Sequence, residues 1–227
     1  DINLFKNRFG SDINYVTDES ILAFDKNYHK VKHHNWLLQQ VVKSQFWRLE
    51  LCENTVLLDS DNYFITDFYV SDFMYNDTTP YTLMHECKDL LQFTAKNSMD
   101  FVKKSFGETR LPIMELFGRK GRLYDFGPTP TIWSSKVWKG LKENYQDPNN
   151  LEFSDLILSA SSEFTWYGEY LLYSKDIDLI PIEPLFKHYH YGEQYTEDKN
   201  NNITEQHLAQ NFLGIVLQSN WGAPLKY

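Results

Sequence analysis

A short apolar run that stops at two aspartates constrains this chain more than any other feature. Residues 55–58, Thr-Val-Leu-Leu, include β-branched members, and Asp59-Ser60-Asp61 follow directly. A run of this length without polar alternation is typical of a strand buried on both faces in a mainly parallel sheet. In open α/β sheets, ligands bind beyond the carboxyl ends of the strands. The two aspartates therefore fall where a site is expected.

Helical and strand-like segments alternate along the chain, which predicts an α/β fold. The spacing of apolar residues predicts helices over 35–49, 97–106, 136–144, 151–159, 162–173 and 204–217. Strand-like runs lie at 13–16, 81–84, 131–133 and 179–182. Phe5 and Phe9 predict a short helix that ends at Gly10, the residue type that commonly follows a helix. Because the chain starts on what resembles the inside of a domain, we expect that an N-terminal strand of the sheet is missing.

Composition limits the kind of partner and the compartment. Among 227 residues, 31 Asp and Glu outnumber 22 Lys and Arg, for a formal net charge of −9. This balance argues against a nucleic-acid backbone as the main partner. No apolar run approaches the ~18 residues of a membrane span, and no signal segment opens the chain, so we expect a cytoplasmic protein. Cys52 and Cys87 lack a CxxC partner, which favours buried thiols over zinc ligands.

The aspartate pair is the first of several patterns that can carry chemistry. Two carboxylates at positions i and i+2, here Asp59 and Asp61, can share one hard divalent cation such as Mg²⁺ or Mn²⁺. Such an ion can neutralise a leaving diphosphate. The alternative is a solvated turn with Asp caps.

The helix at 35–49 carries a polar face next to its apolar one. Its amides, on Gln39 and Gln40, can contact a base or a sugar, and Lys43 supplies a positive charge for phosphate. A solvated helix face is the alternative.

Three later segments complete the candidate site. Glu163 lies among aromatic residues, where partial burial can raise its pKa and make it a general base. A rigid turn at 127–130 leads to Trp133 and Ser134, which can line a sugar pocket. His188 and His190 fall on one face of a strand and can add a metal ligand or a diphosphate contact. The alternatives are an amphipathic helix, a turn with a helix cap, and a surface strand.

Taken in order, these segments are similar to the DUF6492 group, which the resemblance places among bacterial glycosyltransferases with a nucleotide-diphospho-sugar transferase (GT-A) fold. The matching pieces are Trp36-Leu-Leu-Gln39-Gln40-Val-Val-Lys43, Val56-Leu-Leu-Asp59-Ser60-Asp61, Pro130-Thr-Ile-Trp133-Ser134 and Ser162-Glu163-Phe-Thr-Trp-Tyr167-Gly168-Glu-Tyr170-Leu171. The resemblance covers roughly residues 35–191. It implies a single domain over 1–227 with a mainly parallel sheet, a donor half near 1–95 and an acceptor half near 96–227.

The resemblance also implies a role for each candidate residue. The donor-binding residues would be Gln40, Lys43, Asp59, Ser60 and Asp61. The metal ligands would be Asp59, Asp61 and His190, with His188 as second choice for the last position. Glu163 would be the catalytic base, and the acceptor pocket would contain Trp133, Ser134, Trp166 and Tyr167.

The expected reaction moves a sugar from a nucleotide-diphospho-sugar to a hydroxyl of a bacterial surface glycan, such as capsule, O-antigen or lipopolysaccharide. The partners would be that donor, with Mn²⁺ or Mg²⁺, and a glycan or lipid-linked glycan acceptor. Work on a lipid-linked acceptor implies peripheral association with the inner face of the membrane. Two alternatives are a phosphohydrolase of the haloacid dehalogenase type, which also places Asp-x-Asp after a strand, and a non-catalytic carbohydrate-binding protein.

Overall fold

A computed structural model describes residues 6–8, 10 and 12–218 of the chain. The helices, numbered in chain order, are α1 Asp18–Leu22, α2 Asn35–Gln45, α3 Lys88–Lys96, α4 Asp100–Leu116, α5 Ser135–Leu141, α6 Phe153–Ser159, α7 Glu163–Ser174, α8 Gly192–Asn200 and α9 Glu205–Leu208. The strands are β1 Asn54–Leu57, β2 Asn62–Phe64, β3 Thr82–Leu83, β4 Thr131–Ser134, β5 Pro181–Ile182, β6 Phe186–Tyr189 and β7 Gly214–Leu217. The fold is therefore α/β, with helices as its larger part.

Among the described residues, the strands form three small sheets, so the predicted GT-A-like, mainly parallel sheet is wrong. β1 pairs with β4 in an antiparallel ladder, and β3 pairs with β5 in a parallel one. The third sheet has the order β2-β7-β6, antiparallel on one side of β7 and parallel on the other. The prediction failed because it assumed that both faces of the run at 55–58 are buried. In the structure, Val56 is 38% exposed and Leu58 is 48% exposed. The run before the aspartates is not buried on both faces.

Several predicted helices are confirmed, and the last one is wrong. The helices predicted at 35–49, 151–159 and 162–173 correspond to α2 with a following 3₁₀ turn, to α6 and to α7. The helix predicted over 204–217 ends at Leu208, and Gly214–Leu217 is instead the central strand of the three-stranded sheet. Ile215 and Val216 are β-branched and buried there, which suits a strand covered on both sides.

The predictions for the first residues have mixed outcomes. Residues 13–16 form no strand, and Ile13 is exposed. Residues 6–8 are helical, and the Gly10 N–H donates to the Lys6 carbonyl at 3.0 Å with a φ of +87°. Phe5 and Phe9 lie outside the described residues. A helix end at Gly10 fits that hydrogen bond and that left-handed backbone.

The main core lies where α5, α6 and α7 pack around aromatic side chains. Trp138 contacts Phe153 edge-on, and Tyr167 lies against Trp133. Gly168 allows a close approach here, because a Cβ atom at this position would lie 2.0 Å from the ring of Phe126. The segment that follows Phe126 is therefore held directly against α7, next to the start of that helix.

Two expectations from composition can be compared with the structure. No helix within the described part of the chain combines the length and the apolar character needed to cross a bilayer. Cys87 is buried as expected, but Cys52 is exposed, so the prediction of two buried thiols is wrong for Cys52. Cys52 lies in an irregular segment before β1, where its Sγ atom is 3.2 Å from the Thr55 hydroxyl oxygen.

Candidate functional site

A cleft of about 660 Å³ collects residues that are far apart in the chain. Its wall is formed by α2, the turn after β1, α4, the segment 125–128, the start of α7 and the residues at the end of β6. The predicted site residues that line it are Lys43, Asp59, Ser60, Asp61, Glu163, His188 and His190. The structure thus brings most of the predicted polar residues to one place, although the sheet expected to do so is absent from the described residues.

Lys43 connects two carboxylates in this cleft. Its Nζ atom lies 2.6 Å from Asp59 Oδ1 and 3.7 Å from Glu163 Oε1. Lys43 projects from the last turn of α2, and its side chain is only 12% exposed. One ammonium group therefore lies beside two carboxyl groups at a partly buried position, where charge interactions are screened less than at the surface.

Glu163 is the first residue of α7 and is almost fully buried. Ser162 caps the helix by accepting a hydrogen bond from the backbone N–H of Thr165, and the Gln40 Oε1 atom accepts one from the N–H of Glu163 at 3.2 Å. Burial raises the pKa of Glu163 to about 7, and the charge of Lys43 acts in the opposite direction. A carboxyl group with this pKa exchanges its proton readily at neutral pH.

Gln40 therefore has a different position from the one expected. It is 1% exposed, lies beneath the cleft wall and fixes the start of α7, whereas its neighbour Gln39 lines the cleft. The Gln39 Nε2 atom donates to Asp59 Oδ1 at 3.3 Å. Of the two amides predicted on this helix face, only Gln39 lines the cleft, and Gln40, the predicted donor-binding residue, does not.

The hydrogen-bond donors that contact Asp59 determine whether this residue can serve as the predicted metal ligand. Asp59 Oδ1 faces Lys43 and Gln39, and Asp59 Oδ2 accepts from the Thr129 hydroxyl at 2.8 Å. Among the described residues, Asp59, Asp61 and His190 do not form a group whose ligand atoms gather around one point. Because an ammonium group already pairs with this carboxylate, the residues do not fit a preformed divalent-cation site.

A separate cluster does bring three possible ligand atoms within 4.8 Å of one another, those of His85, Cys87 and Asp125. Each atom already has a protein partner. The Cys87 thiol donates to Asp125 at 3.3 Å, the Arg110 guanidinium lies 2.8 Å from the same carboxylate, and His85 Nε2 donates to the Gly127 carbonyl at 2.6 Å. Burial raises the pKa of Cys87, which keeps the thiol protonated. The cluster is a hydrogen-bonded support for the segment at Gly127 and does not fit a metal.

The aromatic residues expected to form an acceptor pocket belong to the core instead. Trp133, Ser134, Trp166 and Tyr167 are all buried. The Tyr167 hydroxyl accepts from the Ser134 N–H at 2.8 Å, and the Trp166 indole N–H donates to the Ala160 carbonyl at 2.8 Å. Since no ring face is open to a sugar, we propose no sugar-binding role for these side chains.

His188 and His190 form a pair in the wall of the cleft. Their ring centroids are 4.0 Å apart, so the expectation that both rings share one face of the strand is confirmed. Burial lowers the pKa of His190 to about 4 and also lowers that of His188. Both imidazoles are therefore neutral at pH 7 and can donate and accept hydrogen bonds.

Residues 3–210 match the model of a protein family, DUF6492, which is described as a family of unknown function. The chain belongs to the DUF6492 family. No curated protein and no solved structure matches it. The motifs around Lys43, Asp59 and Glu163, from which the family was predicted, are those that converge on the cleft of this DUF6492 protein.

Two contacts at the cleft of this DUF6492 protein are not predicted by any local pattern. Thr129 lies in the turn at 127–130, and its buried hydroxyl donates to Asp59, 70 positions away in the chain. Arg110 lies within α4, beyond the end of the helix predicted at 97–106, and pairs with Asp125. Each contact joins residues of different segments, so only the folded chain shows it.

Proposed function

We propose that this DUF6492 protein is a glycosyltransferase that moves a sugar from a nucleotide-diphospho-sugar to a hydroxyl group. One observation carries the proposal: Lys43, a cation suited to phosphate, and Glu163, a buried carboxyl group with a pKa of about 7, lie 3.7 Å apart in one large cleft. We further propose that the hydroxyl group belongs to a bacterial surface glycan and that the protein acts at the inner face of the membrane.

The residues of the chain divide the reaction between them. Glu163 takes the proton of the acceptor hydroxyl, and the acceptor oxygen forms a bond to the anomeric carbon as the bond to the diphosphate oxygen breaks. The nucleoside diphosphate leaves with the bonding electron pair, and the ammonium group of Lys43 stabilises its additional negative charge. Gln40 and Ser162 act as positioning residues, because they hold the helix end that carries Glu163.

The two alternatives from the sequence have less support. A phosphohydrolase of the haloacid dehalogenase type would use Asp59 as nucleophile, but its two oxygens are held by Lys43, Gln39 and Thr129. Carbohydrate-binding modules are mostly all-β, whereas helices form the larger part of this protein. No specific observation favours either alternative.

Release of nucleoside diphosphate from a panel of UDP-, GDP- and dTDP-sugars tests the proposal. We expect Glu163→Gln to slow release by about 100-fold or more, because general-base catalysis contributes at least that factor. Nucleotide binding should persist in this variant, whereas Lys43→Met should weaken it. Glu143→Gln is the matched control, since Glu143 is exposed and lies outside the cleft.

Two results would contradict the proposal. One is the absence of release and of nucleotide binding with every donor in the panel. The other is a Glu163→Gln variant that releases the diphosphate as fast as the wild-type protein does.

A further inference from the structure

Trp36 lies on the polar side of α2 and not on the side that packs against the main core. The apolar side chains of this helix that pack against the core are Leu37, Leu38, Val41 and Val42. Trp36 is instead 61% exposed and lines the cleft. Within the described part of the chain, no other aromatic ring stacks on its indole. One exposed apolar side chain is ordinary, but an open aromatic ring on the wall of a cleft can hold a flat ligand.

Trp36 shares its helix face with Gln39 and Lys43. Positions 36, 39 and 43 follow the spacing i, i+3 and i+7, which places side chains on one face of an α-helix. All three side chains line the cleft. The rise per residue of an α-helix separates the first position from the last by about 10 Å along the axis. Exposure decreases in the same direction, since Trp36 and Gln39 are exposed and the Lys43 side chain is only 12% exposed. The face therefore begins with an open aromatic ring and ends with a largely buried cation.

The order of these groups matches the order of groups in a nucleoside diphosphate. Such a molecule has a flat nucleobase at one end, a ribose in the middle and a diphosphate at the other end, and its extended length is similar to that of the helix face. The nucleobase can stack on an indole, and the diphosphate can pair with an ammonium group. Gln39 lies between these ends, and its Nε2 atom donates to Asp59. No donor among the described residues reaches the Gln39 Oε1 atom, which can accept a hydrogen bond from a ribose hydroxyl.

We propose that the nucleobase of the donor stacks on the indole of Trp36, and that the face formed by Trp36, Gln39 and Lys43 sets the direction in which the donor lies. The inference rests on the proposed function, because it assigns the nucleobase site for the donor of that reaction. With the nucleobase on Trp36 and the diphosphate at Lys43, the sugar continues toward Glu163, whose carboxyl oxygen lies 3.7 Å from the ammonium group. The reacting sugar is thereby placed beside the proposed general base.

Isothermal titration calorimetry of the full chain with UDP, GDP, dTDP and inorganic pyrophosphate tests the inference. We expect Trp36→Ala to bind the tightest of the three nucleotides about 5- to 100-fold more weakly, because the stacking contact is lost. Its affinity for pyrophosphate should not change. Trp36→Phe keeps an aromatic ring and should recover most of the nucleotide affinity. Lys43→Met should bind both the nucleotide and pyrophosphate more weakly.

The matched control is Tyr173→Ala, which removes a ring that is 63% exposed and lies outside the cleft. A Trp36→Ala variant that binds the nucleotide as tightly as the wild-type protein does, or that loses as much affinity for pyrophosphate as for the nucleotide, would overturn the inference. Nucleotide binding that does not depend on Trp36 refutes only the nucleobase site. The absence of nucleotide binding by the wild-type protein refutes the proposed function as well.

Saturation-transfer NMR with UDP-, GDP- and dTDP-glucose shows which part of the donor lies on the ring. In Trp36→Ala, we expect the nucleobase protons to lose saturation relative to the sugar protons of the same ligand. The opposite pattern would place the sugar on Trp36, and the inference would then be wrong.

Discussion

Glu163 and Lys43 show how a single buried contact sets the properties of a site. Glu163 carries a carboxyl group in surroundings that favour its neutral form, and the nearest opposing charge is shared with Asp59. Because the ammonium group is closer to Asp59, it compensates Glu163 only in part. The carboxyl group therefore remains easy to protonate at neutral pH.

The raised pKa of Glu163 predicts a pH-dependent stability. Its folded-state pKa of about 7 lies above the usual 4.5, so the folded protein binds more protons than the unfolded chain between these values. The free energy of unfolding should therefore fall as the pH rises from about 4.5 through about 7. Glu163→Gln cannot titrate at this position, so its free energy of unfolding lacks this pH dependence. The difference in free energy of unfolding between the variant and wild type should therefore change in favour of the variant by on the order of 3 kcal/mol from pH 4 to pH 8.

Urea denaturation of both proteins at several pH values measures this difference. Glu143→Gln should show the same pH dependence as wild type. A constant difference between wild type and Glu163→Gln across the range would contradict the raised pKa.

At the residue scale, the sequence predicted residue types better than it predicted burial. The chemistry of Lys43, Asp59 and Glu163 predicts a place in the site, and all three line the cleft. Trp133 and Trp166 are predicted to offer flat ring faces to a sugar, but both side chains are buried in the core. A large aromatic ring serves either purpose, and only packing decides which one applies.

At the scale of elements, α7 begins with Glu163, and Gly168 within it determines how closely the segment that contains Phe126 can pack against this helix. The ring of Phe126 occupies the space where a Cβ atom at position 168 would lie. Any side chain there would push apart α7 and the segment that contains Thr129, which holds Asp59 by a hydrogen bond.

Gly168→Ala should lower the free energy of unfolding by about 1–3 kcal/mol, because an overpacked core forces its neighbours to shift. Gly107→Ala is the control, since a Cβ atom on this glycine in α4 meets nothing within 4 Å. That variant should be unchanged or gain up to about 1 kcal/mol from helix propensity. Thermal denaturation of both variants gives the comparison, and an equal effect at the two positions would contradict the packing argument.

Local patterns predicted most helices and most strands, including those at 55–58, 81–84, 131–133 and 179–182, but they did not predict how the strands pair. The periodicity of residues 35–45 is that of an amphipathic helix, whose hydrogen bonds are all local and whose apolar face can pack against many kinds of surface. The runs at 55–58 and 214–217 are short, and their pairing partners lie far away in the sequence. Nothing within such a run fixes whether its partner is parallel or antiparallel, and a four-residue apolar run fits a helix as well as a strand.

At the scale of the whole molecule, the three-stranded sheet joins parts of the chain that are widely separated. β7 is its central strand, between β2, which follows the aspartate pair, and β6, which contains His188 and ends just before His190. One strand near the end of the described residues thus holds two walls of the cleft in place. The packing of β7 should therefore matter both for stability and for the geometry of the site.

Ile215→Ala should lower the free energy of unfolding by about 2–5 kcal/mol, because the side chain is buried among Tyr189 and Leu217. Ile203→Ala makes the same chemical change at an exposed position and should cost about 0.5 kcal/mol or less. Denaturant titration followed by both fluorescence and circular dichroism gives the two values. Similar costs for the two variants would show that β7 is not part of the cooperative unit.

The contact of Lys43 with two carboxylates has a consequence for the pH at which the proposed reaction proceeds. The ammonium group, 3.7 Å from Glu163, opposes the rise in pKa that burial causes. A diphosphate that draws Lys43 toward itself would remove this restraint, so the pKa of Glu163 should rise further. The carboxylate form then predominates only at a higher pH, and the rate of transfer should be highest well above pH 7. A pH profile of initial rates with its maximum at or below pH 7 would contradict this coupling.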